Sequence, residues 1–176
     1  MAIDRQKTET VHWHAVFTAS RAEKKVRDRL EELGVECFLP VQTVLRQWTY
    51  RKSRVVVPVI AGLVFVRVGR QEQVKVLQTK GVLAFLRLKG EAGAAVIPDK
   101  QMEDFRFLLD FSEEAVEMTN ENIKAGDLVR VVKGSLRGME GELIRHKGVT
   151  KVLVRIDMLG CAMVNIPASF VEKLNK

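Results

Sequence analysis

After the first ten residues, apolar side chains recur first at the spacing of a strand and then at the spacing of a helix. Residues 12–18 alternate between apolar and polar side chains, which predicts a strand. Apolar residues over 22–33 recur at helical spacing, and Gly34 predicts the end of that helix. Ser20 and Glu23 have the spacing of a capping box, in which each side chain binds a backbone N–H group at the helix start.

Further strands and helices follow as far as residue 111. We expect β-rich segments, short helices and a last helix that begins at Pro98, as follows: strands within 35–50 with a break at Pro40, strands over 55–59 and 63–68, a helix over 71–79, a strand over 81–88 and a helix from 98. This mixture predicts an α+β domain in which helices flank an antiparallel sheet.

The last fifty residues contain only short strands and turns. Five strands are predicted, over 127–132, 142–146, 151–157, 162–166 and 170–174. Strands of this length and spacing are typical of a small closed sheet such as an SH3-like β-barrel. Residues 112–122 lack apolar periodicity and are interpreted as part of a linker, and residues 1–10 as a disordered tail.

Charge supports this division of the chain. The net charge is +7, and it is distributed as +8 over residues 1–98, −6 over 99–123 and +5 over 124–176. Two basic bodies separated by an acidic segment favour polyanionic partners, with nucleic acid as the first candidate.

The sequence offers no recognisable catalytic or metal-binding constellation. The three histidines have no metal-ligand spacing, and Cys37 and Cys161 are expected to be buried thiols. The longest apolar run is too short to span a membrane, and the N-terminus has no signal-peptide pattern. We therefore expect a cytoplasmic protein that is not an enzyme and that needs no cofactor or metal.

A basic segment with aromatic neighbours is a candidate binding site. Arg51, Lys52 and Arg54 follow Trp48 and Tyr50, and we expect the three cations to form a turn between two strands. Two interpretations are open. The cations bind phosphates while bases stack on the rings, or the turn is simply solvated and the rings pack inward.

A glycine-rich basic loop lies between the first two strands of the C-terminal part. Gly134, Gly138 and Gly141 mark positions that require a positive φ or close backbone approach. The loop looks like the KOW motif of ribosomal proteins and transcription elongation factors. Lys133 and Arg137 flank its turn and are candidates for contact with RNA or protein.

Taken together, the two parts resemble the NusG-type transcription elongation factors over residues 11–174. The matching marks are Trp13, Leu39-Pro40, the apolar segment 62–66, Gly81-Val82, Ile97-Pro98, Gly126-Asp127 and the closing segment 169–174. The resemblance implies an N-terminal NGN-like domain over 11–111, an acidic linker over 112–123 and a KOW domain over 124–176.

The resemblance also implies particular site residues. The positions that match the apolar pocket for the clamp helices of the largest RNA polymerase subunit are Phe17, Leu63, Phe65 and Phe85. Lys25 and Lys80 match basic positions near the non-template DNA strand, and nascent RNA is the other nucleic acid considered. The implied mechanism holds the polymerase clamp closed and disfavours paused states.

Two segments, residues 45–52 and 165–170, are similar to the UpxY group, RfaH-related antiterminators of surface-polysaccharide operons. Leu159-Gly160-Cys161 stands where general factors have Phe-Gly-Arg, which weakens the expectation that the KOW domain binds Rho or a ribosomal protein. The alternatives are a general NusG-like factor that couples to Rho or the ribosome, and an RNA-binding or ribosome-associated KOW protein.

Overall fold

The computed structural model describes residues 9–174, so most of the tail predicted over residues 1–10 lies outside the described residues. In chain order the elements are β1 (His12–Thr18), α1 (Glu23–Glu32), β2 (Glu36–Phe38), β3 (Val41–Gln47), β4 (Lys52–Pro58), β5 (Leu63–Val68), α2 (Glu72–Gln78), β6 (Val82–Phe85), α3 (Asp99–Phe111), β7 (Glu117–Thr119), β8 (Asp127–Val131), β9 (Glu140–His146), β10 (Val149–Ile156), β11 (Gly160–Asn165), a 3-10 turn (Ala168–Phe170) and β12 (Val171–Lys173). They fall into two compact units, residues through Leu39 with Gly62–Val96, and Pro40–Ala61 with residues from Ile97 onward.

The first unit is a four-stranded antiparallel sheet, in the order β2-β5-β1-β6, with two helices on one face. His14 and Cys37 both lie opposite Val66, so their side chains share a face. On that face the Cys37 thiol donates to the carbonyl of Arg27 in α1 at 3.7 Å, and Gln73 of α2 approaches the His14 ring at 3.5 Å. Both helices therefore cover this face.

The start of α1 differs from the predicted capping box. Ala22 is the N-cap residue, and no side chain caps the helix. The Glu23 carboxylate instead accepts the backbone N–H of Gly62 at 2.7 Å, which ties the helix to the turn before β5. Glu23 is consequently buried. The capping prediction is wrong because the Glu23 carboxylate binds the backbone N–H of Gly62 and not one at the helix start.

The second unit contains the β3–β4 hairpin, α3 and a six-stranded antiparallel sheet in the order β12-β8-β9-β10-β11-β7. Helix α3 buries Met102, Phe105 and Leu108. The Gln101 side chain accepts the backbone N–H of Asp157 at 2.8 Å, so α3 lies at the end of β10. The mixed α and β composition and the antiparallel pairing of both sheets confirm the predicted fold class at that level.

All five strands predicted for the C-terminal part are present, as β8 to β12. Strands β12 and β7 are the two edges of this sheet, and within residues 9–174 they do not pair with each other to close it. A closed SH3-like barrel therefore stays a prediction. The core of this sheet includes Leu153 and Met163, and Cys161 packs with them as the expected buried thiol. Cys37 is only half-buried, which corrects the same expectation for that residue.

The segment predicted as an acidic linker contains a strand. Strand β7 pairs with β11, where Met118 lies opposite Ala162. Just before it, Val116 is buried and its backbone exchanges two hydrogen bonds with the Gln42 side chain, at 2.9 and 3.2 Å. By their contacts, residues 40–61 and 97–111 group with the C-terminal sheet, and the division into domains over 11–111 and 124–176 stays a prediction.

Candidate functional site

The apolar residues expected to form a docking pocket include one exposed side chain and three buried ones. Phe17 of β1 is 41% exposed, whereas Leu63, Phe65 and Phe85 are all below 5%. Register explains part of the arrangement. Phe17 lies directly opposite Leu63, and Phe65 lies two positions further along β5, so these three project from the same face.

Phe85 projects from the other face of the sheet. It lies opposite Val16, the neighbour of Phe17, and its ring meets the His14 ring edge-on at 5.8 Å between centroids. The structure therefore brings Phe17, Leu63 and Phe65 together and separates Phe85 from them. Sequence alone could not assign this face, because the pairing of β1 with β6 shifts between Phe17 and Thr18.

An exposed apolar patch nevertheless surrounds Phe17. Its cross-strand neighbour Ala84 is exposed, and Leu83, at the bulge in the edge strand β6, is 65% exposed. We call Phe17, Leu83 and Ala84 the β6 edge patch. Leu83 and Ala84 were missed by sequence reasoning, since nothing in a short apolar strand shows which of its residues face solvent.

His14 is the buried histidine of the first unit, and its contacts are structural. Its Nδ1 lies 2.8 Å from the carbonyl oxygen of Ala95. Burial, as the largest effect, lowers the pKa of His14 below its usual range, so the ring is neutral at pH 7. Among residues 9–174, no group of three or more His, Cys, Asp or Glu side chains has an arrangement that could hold a metal ion.

Two of the predicted nucleic-acid-binding cations lie on adjacent segments of the first unit. Lys25 is exposed on α1, and Lys80 is exposed just after α2. The Lys80 carbonyl accepts a hydrogen bond from Arg29 of α1 at 2.6 Å, and Gly81 packs against Val26. These contacts hold the segment after α2 beside α1, so the unit carries both lysines on neighbouring surface segments.

The other three predicted cations belong to the β3–β4 hairpin of the second unit. Only Arg51 lies in the turn, because Lys52 and Arg54 are already in β4, paired with Gln47 and Leu45. Lys52 and Arg54 are two residues apart on one strand and therefore share an exposed face. The predicted turn at 51–54 is thus displaced: the hydrogen bond from the Trp48 N–H to the Arg51 carbonyl, 2.8 Å, places it at 48–51.

The glycine-rich loop after β8 presents the last two predicted cations. Lys133 and Arg137 are both exposed there. Gly134 and Gly138 have φ angles of 82° and 93°, and a Cβ on Gly141 would lie 2.8 Å from the Leu153 carbonyl oxygen. The prediction that these glycines serve positive φ or close approach is confirmed.

A carboxylate–guanidinium pair that sequence reasoning missed fixes the start of the C-terminal sheet. Arg155 donates to both oxygens of Glu142, at 2.6 and 2.9 Å, and also to the carbonyl of Ile123 at 3.1 Å. Glu142 accepts the backbone N–H of Gly126 at 3.0 Å as well. The hydrogen bonds from Arg155 are the main cause that lowers the pKa of Glu142. No helix within residues 9–174 is long and apolar enough to cross a membrane.

Comparison with known proteins gives the following similarities. A family model described as "Transcription termination factor nusG" matches residues 11–106. A solved structure described as "Domain interaction in Thermotoga maritima NusG" is 22% identical, with 94% of this chain and 98% of that chain covered and a TM-score of 0.51. At this identity the likeness shows the fold alone.

Two structures of the MjSpt4:Spt5 complex are also similar. Both are 17% identical and cover 93% of this chain. Conformation B is covered over 97% of its chain with a TM-score of 0.31, and conformation A over 99% with a TM-score of 0.29. No curated protein matches the chain.

Proposed function

The chain belongs to the NusG family of transcription elongation factors, and from this premise we propose that it binds RNA polymerase and suppresses pausing or termination. The family match over residues 11–106 carries the proposal, because it spans nearly all of the part that the resemblance assigns to polymerase binding. The family is non-enzymatic, which agrees with the expectation that this chain is not an enzyme. The cytoplasm is the proposed compartment, since transcribing polymerase is there.

The proposed contact with polymerase is centred on Phe17. Its exposure and its apolar neighbours in the β6 edge patch support a role as the anchor for the clamp helices of the largest subunit. Leu63 and Phe65 project from the same face as Phe17 but are buried. We propose that they hold β1 and Phe17 in position and do not touch polymerase. Phe85 is proposed to support the opposite face through its contact with His14.

Binding to core polymerase tests this contact. Phe17→Ala should weaken binding by about 2 kcal/mol, as is usual for an aromatic anchor at an interface. Leu77→Ala is the matched control, because Leu77 is an apolar residue of the same unit with 43% exposure, close to the 41% of Phe17. Equal affinities of the two variants for core polymerase would overturn the assignment of Phe17.

Nucleic acid near the polymerase is the second proposed partner. Lys25 and Lys80 are proposed to contact the non-template strand, and Arg51, Lys52 and Arg54 to contact phosphates of DNA or nascent RNA. All five are exposed, as phosphate contact requires. Such contacts release counterions, so charge reversal at Lys25 should reduce recruitment to elongation complexes more than binding to free polymerase.

The C-terminal sheet is proposed to be a KOW domain with an SH3-like barrel fold. Its strand order, with the last strand β12 beside the first strand β8, and the glycine-rich basic loop support this assignment. Lys133 and Arg137 are proposed as its contact surface for Rho, a ribosomal protein or RNA. The division into domains over 11–111 and 124–176 belongs to the same proposal.

A specialised role at surface-polysaccharide operons is the finer form of the proposal. Residues 45–52 and 165–170 support it through their similarity to the UpxY group, and Cys161 supports it as a departure from the general factors. In the structure the Cys161 thiol packs in the core of the C-terminal sheet, where the arginine of general factors would need space for a charge. Testing termination at a leader sequence of such an operon against an unrelated terminator distinguishes the specialised factor from a general one.

A further inference from the structure

The turn of the β3–β4 hairpin presents two aromatic rings to solvent. Tyr50 is 97% exposed and Trp48 is 54% exposed. Large aromatic side chains are usually at least half-buried in a fold, because burying them is strongly favourable. The alternative in which these rings pack inward is therefore excluded by their exposure.

The hydrogen bond between the Trp48 N–H and the Arg51 carbonyl makes Thr49 and Tyr50 the two-residue tip of the hairpin. Residues 48–51 line a surface hollow of about 300 Å³. The strands below the tip pair regularly from Gln47 and Lys52 downward, so the turn stands on an ordered ladder. A small aromatic hollow thus sits at a defined position in the fold.

Charge along the hairpin is of one sign. The chain has no Asp or Glu between Glu36 and Glu72, whereas the hairpin carries four cations, namely Arg46, Arg51, Lys52 and Arg54. All four are exposed, and none forms an ion pair with a carboxylate within residues 9–174. An exposed surface with uncompensated positive charge and free aromatic faces matches a ligand that offers both phosphates and flat bases.

We propose that the hairpin tip is a binding site for a single strand of nucleic acid, with bases stacked on Trp48 and Tyr50 and flanking phosphates bound by Arg51, Lys52 and Arg54. This inference rests on the phosphate contact proposed above for the same cations and adds a requirement for unpaired bases. A duplex hides its base faces within the stack, so a ring can stack only on a base of a single strand or an end.

Fluorescence anisotropy of labelled oligonucleotides with the full chain tests the proposal. The probes are a mixed-sequence DNA strand of about a dozen nucleotides, the same sequence as a duplex, and the same sequence as RNA. Single strands should bind more tightly than the duplex, and Tyr50→Ala or Trp48→Ala should weaken single-strand binding about tenfold. Tyr50→Phe, which keeps the ring, should bind as the unmodified chain does. Comparison of the DNA and RNA strands identifies the preferred source.

Leu45→Ala is the matched control, because Leu45 is an exposed apolar residue of the same hairpin. Its variant should bind the single strand normally. Tryptophan emission provides a second measurement, since Trp13 is buried and Trp48 is exposed. Addition of the single strand should quench part of the emission in the unmodified chain, and this quenching should disappear in Trp48→Phe while binding persists.

Three outcomes would overturn the inference in distinguishable ways. Salt-sensitive binding that is equal for single strand and duplex, and unchanged in Tyr50→Ala, would remove the stacking site and leave the proposed phosphate contact standing. Failure of every probe to bind even at low salt would rule out both the stacking site and the phosphate contact. Loss of core polymerase binding in Tyr50→Ala without nucleic acid would identify the tip as a protein contact instead.

Discussion

The buried ammonium group of Lys151 lies 2.7 Å from the carboxylate of Glu117. Lys151 is in β10 and Glu117 in β7, so the lysine side chain reaches across β11, the strand between them. The side chain of Lys151 is 5% exposed and that of Glu117 is 52% exposed. This ion pair joins the three paired residues of β7 to the sheet and makes part of the acidic segment an integral edge strand.

The two members of this pair should respond differently to substitution. Glu117→Gln leaves a buried ammonium group without its counter-charge and should lower the free energy of unfolding by about 1 kcal/mol, a value reduced by the solvent exposure of Glu117. Lys151→Met replaces the buried charge with an apolar chain of similar length and should be nearly neutral. Urea unfolding measures both, with Glu121→Gln as the control in the same segment. A larger loss in Lys151→Met than in Glu117→Gln would contradict the account.

Acid should weaken the C-terminal sheet through two carboxylates. Hydrogen bonds from Arg155 and Lys151 are the main causes that lower the pKa values of Glu142 and Glu117. The unfolded chain therefore binds protons more readily than the folded one, and stability rises with pH. The contribution is complete above the unfolded Glu pKa of about 4.3 and is lost as pH falls through the lower folded values.

Thermal unfolding between about pH 3 and pH 6 measures this effect. Glu142→Gln should be less stable than the unmodified chain at pH 6, and the difference should shrink as the pH falls. Parallel curves for the two proteins would show that the Glu142–Arg155 pair does not contribute to the acid sensitivity.

Gly160 should be essential for the attachment of β7. It has a φ of 101°, and a Cβ there would clash with the carbonyl oxygen of Thr119 in β7. Gly160→Ala should accelerate amide hydrogen exchange in β7 and lower the free energy of unfolding by about 2 kcal/mol. Gly148→Ala is the matched control, because Gly148 has a φ of 80° and no atom near its Cβ position. If Gly160→Ala and Gly148→Ala accelerate exchange in β7 equally, backbone strain alone explains the loss and the clash with Thr119 does not contribute.

Periodicity predicted most strands and helices because those elements bury one face of a regular pattern. The alternation over β1 and the helical spacing of Val26 and Leu30 are local signals, and both elements formed where expected. The strand β7 gave no such signal, since three residues at a sheet edge are held by a distant lysine and by the backbone of β11. Tertiary pairing of this kind leaves no mark in a short segment.

The candidate site was only partly predictable for the same reason. Aromatic residues in β1, β5 and β6 were recognised, but the sheet register decides that Phe17 is exposed while Phe65 is buried and Phe85 faces the helices. Hairpin cations were also recognised, but the position of the turn depends on how β3 pairs with β4. That pairing exposes Trp48 and Tyr50 at the tip.

The lifetime of a defined transcriptional pause tests the central proposal most directly. It is measured with RNA polymerase from the organism that encodes this chain, on a template with a leader of a surface-polysaccharide operon, with and without the protein. The account predicts that the unmodified chain and Leu77→Ala shorten the pause, whereas Phe17→Ala needs about a thirtyfold higher concentration, the equivalent of about 2 kcal/mol. A pause lifetime that saturating protein leaves unchanged, on this template and on an unrelated one, would contradict the account.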